Sequence, residues 1–178
     1  MDFDFGQNIS GVTELRIKGE RGMTVSLKHG EFLKDNGHVS TENIDYFYHS
    51  DTLKEPFATD IFTLGGNGDE SFRQRFGYKG FRYVEASIDR PAVLDENNLT
   101  AYFVHSDIPT KGHIHTSSEI INKLWKASCY SYLSNLVGYP TDCPQREKNG
   151  WTGDTNAAMD LGFYNYDPIT VYEKWMDD

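Results

Sequence analysis

The 178 residues carry 27 acidic against 17 basic side chains, a formal charge of -10 and a pI near 5.0, a balance that argues against a nucleic-acid partner, which needs a clustered basic face to displace counterions. Hydrophobic residues at 38% and charged residues at 25% are ordinary globular usage, so neither a disordered nor a fibrous chain is expected. No apolar run is long enough to span a bilayer, and the opening "MDFDFGQNIS" has neither the basic region nor the apolar stretch of a secretory leader, so no membrane partner is expected.

From Val12 to about Ser106 the dominant hydrophobic period is two. "TELRIKGERGMTVSLKHG" sets Leu15, Ile17, Met23, Val25 and Leu27 on one face and predicts a hairpin around Gly19 to Gly22. Asp35 to Glu55 is polar and aromatic and predicts a long loop; Tyr46, Phe47 and Tyr48 on it read as packing between domains, with a sugar contact as the alternative. "ATDIFTLGGNGDESFRQRFGYKGFRYVEASI" predicts strands either side of "GGNGD", with Phe72 and Phe76 alternating with charged neighbours, and "LTAYFVHS" closes the series. Short strands separated by Gly, Asn and Asp turns predict an antiparallel β-sandwich over residues 1–112.

Residues 113–178 change character. Thr116 and Glu119 read as a capping box, after which Ile121, Leu124, Trp125, Tyr132 and Leu136 recur at helical spacing until Gly138. "TNAAMDLGFYNYD" and "PITVYEKWMDD" predict two further helices, the second with Pro168 in its first turn and Asp167 as its cap. Trp125 and Trp175 sit at packing positions. Three helices with apolar faces do not close a domain by themselves, so exposed helical faces and self-association through them are expected. Cys129 and Cys143 lie in no CxxC or Cys/His cluster, and "KGHIHTS" offers His113 and His115 with no third ligand nearby, so no metal is expected.

Between the first two helices lies "TDCPQREKNGWTGDTN", residues 141–156. It holds Asp142, Glu147 and Asp154 with Arg146, Lys148 and Trp151, and Pro144, Gly150 and Gly153 allow the backbone to fold them together. Crowded carboxyls beside an indole raise the pKa of at least one of them, which Arg146 and Lys148 oppose. A protonated acid beside an aromatic platform suits glycosidic-bond cleavage, in which the leaving oxygen must gain a proton. The spacing alone equally allows a plain reading: Asp154 as a helix cap, Asp142 as a turn residue and Glu147 in a surface ion pair.

The string "TDCPQREKNGWTGD" closely resembles the signature of the α-L-rhamnosidases of glycoside hydrolase family 78, and "DFGQNISGVTELRIKGERGMTVSLKHGEFL", "RFGYKGFRYVEASI" and "AYFVHSDIPTKGHIHTS" resemble the β-sandwich that precedes the barrel in that family. The resemblance implies the β-sandwich followed by the first helices of an incomplete (α/α)6 barrel, with Glu147 as general acid and Asp142, Arg146, Trp151 and Asp154 holding the sugar. Asn149 stands where a leucine is common. By the same resemblance the enzyme inverts configuration, uses no cofactor, and takes its general base from a glutamate further along the barrel, so these 178 residues alone are expected to be inactive. The implied partner is a rhamnose-containing oligosaccharide or glycoside. The alternatives are a related barrel glycosidase acting on another sugar, and a carbohydrate-binding or interdomain module without catalysis.

Overall fold

The computed structural model describes residues 1–45 and 57–178, in two units, Met1–Phe103 and Val104–Asp178. Tyr46, Phe47 and Tyr48 lie outside the described residues.

The first unit is antiparallel throughout. Its strands are β1 (Asp2–Lys18), β2 (Thr24–Gly30), β3 (Phe32–Leu33), β4 (Val39–Ser40), β5 (Thr59–Thr63), β6 (Asp69–Arg73), β7 (Lys79–Ile88) and β8 (Leu99–Phe103), with a one-turn helix α1 (Glu42–Asp45) after β4. Six strands form one sheet in the order β5-β2-β7-β1-β6, with β8 also on β1, and β3 pairs with β4. The alternation read from sequence is the alternation buried: Leu15, Ile17, Met23, Val25 and Leu27 all face the core, joined by Phe81, Val84 and Leu99. Phe76, by contrast, is 89% exposed.

The expected hairpin around Gly19 to Gly22 does not form, and the strands either side of "GGNGD" do not pair with each other. The turn after Gly19 is present, with Met23 N–H donating to Glu20 O at 3.1 Å, yet β7 lies between the two strands it joins. Likewise β5 pairs with β2, and β6 pairs with β1 through Glu14↔Arg73 to Lys18↔Asp69. Turn residues report where the chain reverses and not which strand fills the gap. That place goes to β7, whose Phe81, Val84 and Ala86 are buried and which therefore sits in mid-sheet. Between β5 and β6, Phe62 stacks on Phe72 with ring centroids 4.9 Å apart.

A polar pocket is built into this core. His29 is wholly buried, its Nδ1 3.1 Å from Ala58 O and its Nε2 2.9 Å from Thr13 Oγ1. A carbonyl only accepts, so Nδ1 carries the proton and the Thr13 hydroxyl donates to Nε2. Burial, with the Lys79 ammonium nearby, pushes the imidazole down to about 4. Lys79 is itself lowered by burial and paired to Asp60 at 2.7 Å.

The second unit holds α2 (Glu119–Ser134), α3 (Thr152–Asn165) and α4 (Ile169–Asp177), the three helices expected. Ile108, Cys129, Tyr132, Leu136 and Tyr166 form its core, with Trp125 and Leu161 packed on it. Gly162 of α3 is obligatory, because a Cβ there would land on the Tyr132 hydroxyl, which itself lies 3.0 Å from the Tyr172 hydroxyl. Both cysteines are free thiols. Trp125 does more than pack: its indole N–H donates to Asn165 Oδ1 at 2.7 Å.

Both expected helix starts need correction. Thr116 is not the N-cap, since α2 begins at Glu119 behind Ser118, whose N–H the Thr116 hydroxyl accepts at 3.1 Å; Thr116 N–H donates to Asn122 Oδ1 and Asn122 Nδ2 donates to Thr116 O, both at 2.8 Å. An amide reaching back from the first turn satisfies donor and acceptor together, which glutamate cannot. Asp167 is not a cap either, because Lys111 holds its carboxylate at 2.7 Å and α4 starts behind Pro168. Of the apolar positions expected at helical spacing, Tyr132 in α2 and Leu136 just beyond it are buried, while Ile121 and Leu124 are exposed.

Candidate active site

The loop from Thr141 to Trp151 leaves the end of α2 and enters α3. Its start is fixed by Asn135, whose carbonyl accepts Thr141 N–H at 2.7 Å and Thr141 Oγ1 at 3.2 Å. Asp142 then clasps Asn149: its N–H donates to Asn149 O at 3.0 Å, and its Oδ1 accepts Asn149 N–H at 2.9 Å. Its other oxygen accepts the Cys143 thiol at 3.0 Å. The residues between are thereby closed into a ring that projects Arg146 and Glu147.

Closing the ring forces Lys148 into the left-handed region, φ 54°, which costs a non-glycine residue roughly 1–2 kcal/mol. The Tyr139 hydroxyl offsets part of that cost by donating to Lys148 O at 2.8 Å. At Gly150 the backbone passes so close to α4 that a Cβ would stand 2.7 Å from Trp175 Nε1. A larger residue there requires the Trp175 indole or the loop to shift.

Trp151 is the boundary residue of α3, and its carbonyl accepts both Thr155 N–H and Thr155 Oγ1 at 3.1 Å. Its indole N–H donates to Glu147 Oε2 at 3.0 Å, while the ring stays 53% exposed. Arg146 approaches the other Glu147 oxygen at 3.9 Å. Asp154 lies in the first turn of α3, where the helix dipole favours a carboxylate, while the N-cap position itself is Trp151.

All five residues singled out from sequence, Asp142, Arg146, Glu147, Trp151 and Asp154, line one open pocket of about 550 Å³. Asp142 and Asp154 also line a second cavity of about 320 Å³ between α2 and α3, so the two acids stand on the wall between both spaces. The plain reading is met in part: Asp142 does hold a turn and Glu147 does have a cation beside it. Sequence reading gave no role at the loop to Tyr139, whose hydroxyl bonds Lys148 O, to Cys143, whose thiol bonds Asp142 Oδ2, or to Trp175, which stands behind Gly150. No spacing or composition signal marked these roles, since each depends on a contact made by the fold. The arrangement can do acid chemistry: one carboxyl is oriented by an indole N–H at a solvent-open mouth, with two further carboxylates, a guanidinium and an aromatic face around the same space.

Comparison with known proteins bears on this arrangement. Residues 2–105 match the bacterial alpha-L-rhamnosidase concanavalin-like domain, and residues 109–178 match the bacterial alpha-L-rhamnosidase 6 hairpin glycosidase domain. The chain is 34% identical over 176 residues to an alpha-L-rhamnosidase of Streptomyces avermitilis, covering 98% of this chain and 16% of that protein. The crystal structure of the S. avermitilis enzyme complexed with L-rhamnose is similar with a TM-score of 0.87 at 34% identity, over 99% of this chain and 16% of the other. The native α-L-rhamnosidase of Aspergillus terreus gives 0.86 at 38% identity, over 99% and 20%. The chain thus spans between 16% and 20% of the length of these proteins.

Proposed function

The chain belongs to the bacterial α-L-rhamnosidase family, and from that premise we propose that residues 141–156 are the acid half of a site that releases terminal α-L-rhamnose from a glycoside. The observation that carries the proposal is the convergence of Asp142, Arg146, Glu147, Trp151 and Asp154 on one pocket, with Glu147 oriented by the Trp151 N–H. That a relative 34% identical is solved with L-rhamnose bound supports the ligand class.

In this reading the Glu147 carboxyl gives its proton to the glycosidic oxygen as the bond to the anomeric carbon breaks. Positive charge grows on the sugar ring, and the carboxylates of Asp142 and Asp154 stabilise it from the pocket wall. Arg146 donates to sugar hydroxyls, and the exposed indole of Trp151 covers an apolar face of the ring. Inversion requires a second carboxylate to activate water on the opposite face. The family resemblance assigns that base to sequence outside residues 1–178, so this segment alone is proposed to be inactive.

The test uses the product of the whole reading frame that contains residues 1–178. Glu147→Gln should lower kcat on an unactivated rhamnoside by about 10²- to 10⁴-fold with L-rhamnose binding kept, and by much less on an aryl rhamnoside whose phenol leaves without protonation. Equal loss on both substrates would assign Glu147 a role other than acid, and unchanged turnover would favour the non-catalytic module. A panel of aryl glycosides separates rhamnose from other sugars.

A further inference from the structure

Three side chains able to bind metal meet at one end of the β unit. Asp2 of β1 and Glu85 of β7 are register partners, so their side chains leave the same face of the sheet side by side. His38, from the turn between β3 and β4, brings Nδ1 to 3.4 Å from Asp2 Oδ2 and 3.9 Å from Glu85 Oε1. One donor atom from each of the three lies within 4.8 Å of the other two. The turn that delivers His38 is well defined: Lys34 N–H donates to His38 O at 2.8 Å, and Asn36 Oδ1 accepts His38 N–H at 3.1 Å.

Like charges directly opposite on paired strands repel. Among the described residues neither carboxylate has a lysine or arginine ion-pair partner; the imidazole alone stands beside both. Lys28 is the register partner of Glu85 on β2, but its ammonium donates to Val39 O at 2.9 Å. The group that neutralises both carboxylates at once, while using the imidazole lone pair, is a divalent metal ion.

We propose that Asp2, His38 and Glu85 form a surface site for a divalent transition-metal ion, Zn²⁺ by preference. Donors that share a Zn²⁺ at about 2.0–2.2 Å stand roughly 3–4 Å from one another, so side-chain rotations suffice to close the observed spacing. The imidazole selects against Ca²⁺ and Mg²⁺, which take oxygen donors. One nitrogen and two oxygens leave room for water in the remaining position. Bound there, the ion ties the start of β1 to β7 and to the β3–β4 turn. Sequence reading could not find the site, because its ligands are far apart along the chain and meet only through strand register.

The experiment titrates the untagged chain with Zn²⁺, and with Co²⁺ as an absorbing substitute. Expected are one ion per chain, tetrahedral Co²⁺ bands, and a higher thermal midpoint by circular dichroism when Zn²⁺ is in hundredfold excess over its Kd. His38→Gln and Glu85→Gln, both at the surface, should each weaken binding at least about tenfold, whereas a double His113→Gln, His115→Gln variant should bind unchanged. No saturable binding, or binding that survives His38→Gln but fails in the His113/His115 variant, overturns the proposal.

Discussion

The β unit and the helical unit solve the same burial problem differently. In the first, Leu15, Val25, Leu27, Phe81 and Val84 are sealed within a single core. In the second, the core rests on tyrosines that bond to one another, while Ile120 is 78% and Leu124 66% exposed on α2, and Tyr164 and Met176 are more exposed still. The difference puts a continuous apolar core in one unit and the candidate site in the other. The sheet packs an apolar core around one hydrogen-bonded imidazole, whereas the loop of residues 141–151 hangs on a few named hydrogen bonds.

The strongest way to break that comparison is to open the sheet's core. Phe81→Ala removes a fully buried ring from the middle strand, and should cost about 3–5 kcal/mol. All three tryptophans, Trp125, Trp151 and Trp175, lie in the helical unit, so hydrogen exchange resolved to the amides of β1, β2 and β7 follows the sheet while tryptophan fluorescence follows the helices. The variant should shift the first signal far more than the second; an equal shift would show that the two units unfold together.

Acid should separate the units as well. His29 is held neutral, with its folded pKa down at about 4 against an ordinary 6.5. The unfolded chain therefore binds a proton first as pH falls, so this stabilisation is complete above pH 6.5 and is lost between 6.5 and 4. The loss is on the order of 3 kcal/mol once both forms are protonated. Urea midpoints of the β unit should fall across that window. His29→Gln, whatever its own cost, should flatten the dependence; a slope unchanged in the variant would assign it elsewhere.

A smaller effect tests the helical unit's reliance on single bonds. Tyr139→Phe removes the donor to Lys148 O and should cost about 0.5–1.5 kcal/mol. It should also loosen the Trp151–Glu147 contact, seen as a red shift and faster iodide quenching of the indole. An unaltered spectrum would mean that the Asp142–Asn149 clasp holds the loop without Tyr139.

How much of this was legible depends on sequence distance. The buried face of β1 and β2 and the three helices follow from periodicity, a property of neighbours, and the candidate site is contiguous, so its five residues could be named together. Whatever joins distant residues was hidden. β7 entering between β1 and β2, Asn122 displacing Glu119 at the start of α2, and Lys111 drawing Asp167 from its cap are all partner choices. Composition and spacing fix which groups are available and leave the pairing to the fold. Trp175 behind Gly150 is the same lesson at the site.

The smallest expected effect is the most discriminating for the exposed faces. Leu124 makes no use of burial if its face is open, and leucine and glutamine have similar helix propensity, so Leu124→Gln should change stability by no more than about 0.5 kcal/mol. Sedimentation of the parent chain decides what that means. If the chain self-associates through α2, dilution should lower its thermal midpoint and the variant should abolish the dependence, because mass action links a buried interface to apparent stability. If parent and variant are both monomeric with equal midpoints, the strip on α2 contributes nothing to the fold of residues 1–178, and the contrast with the sealed sheet is complete.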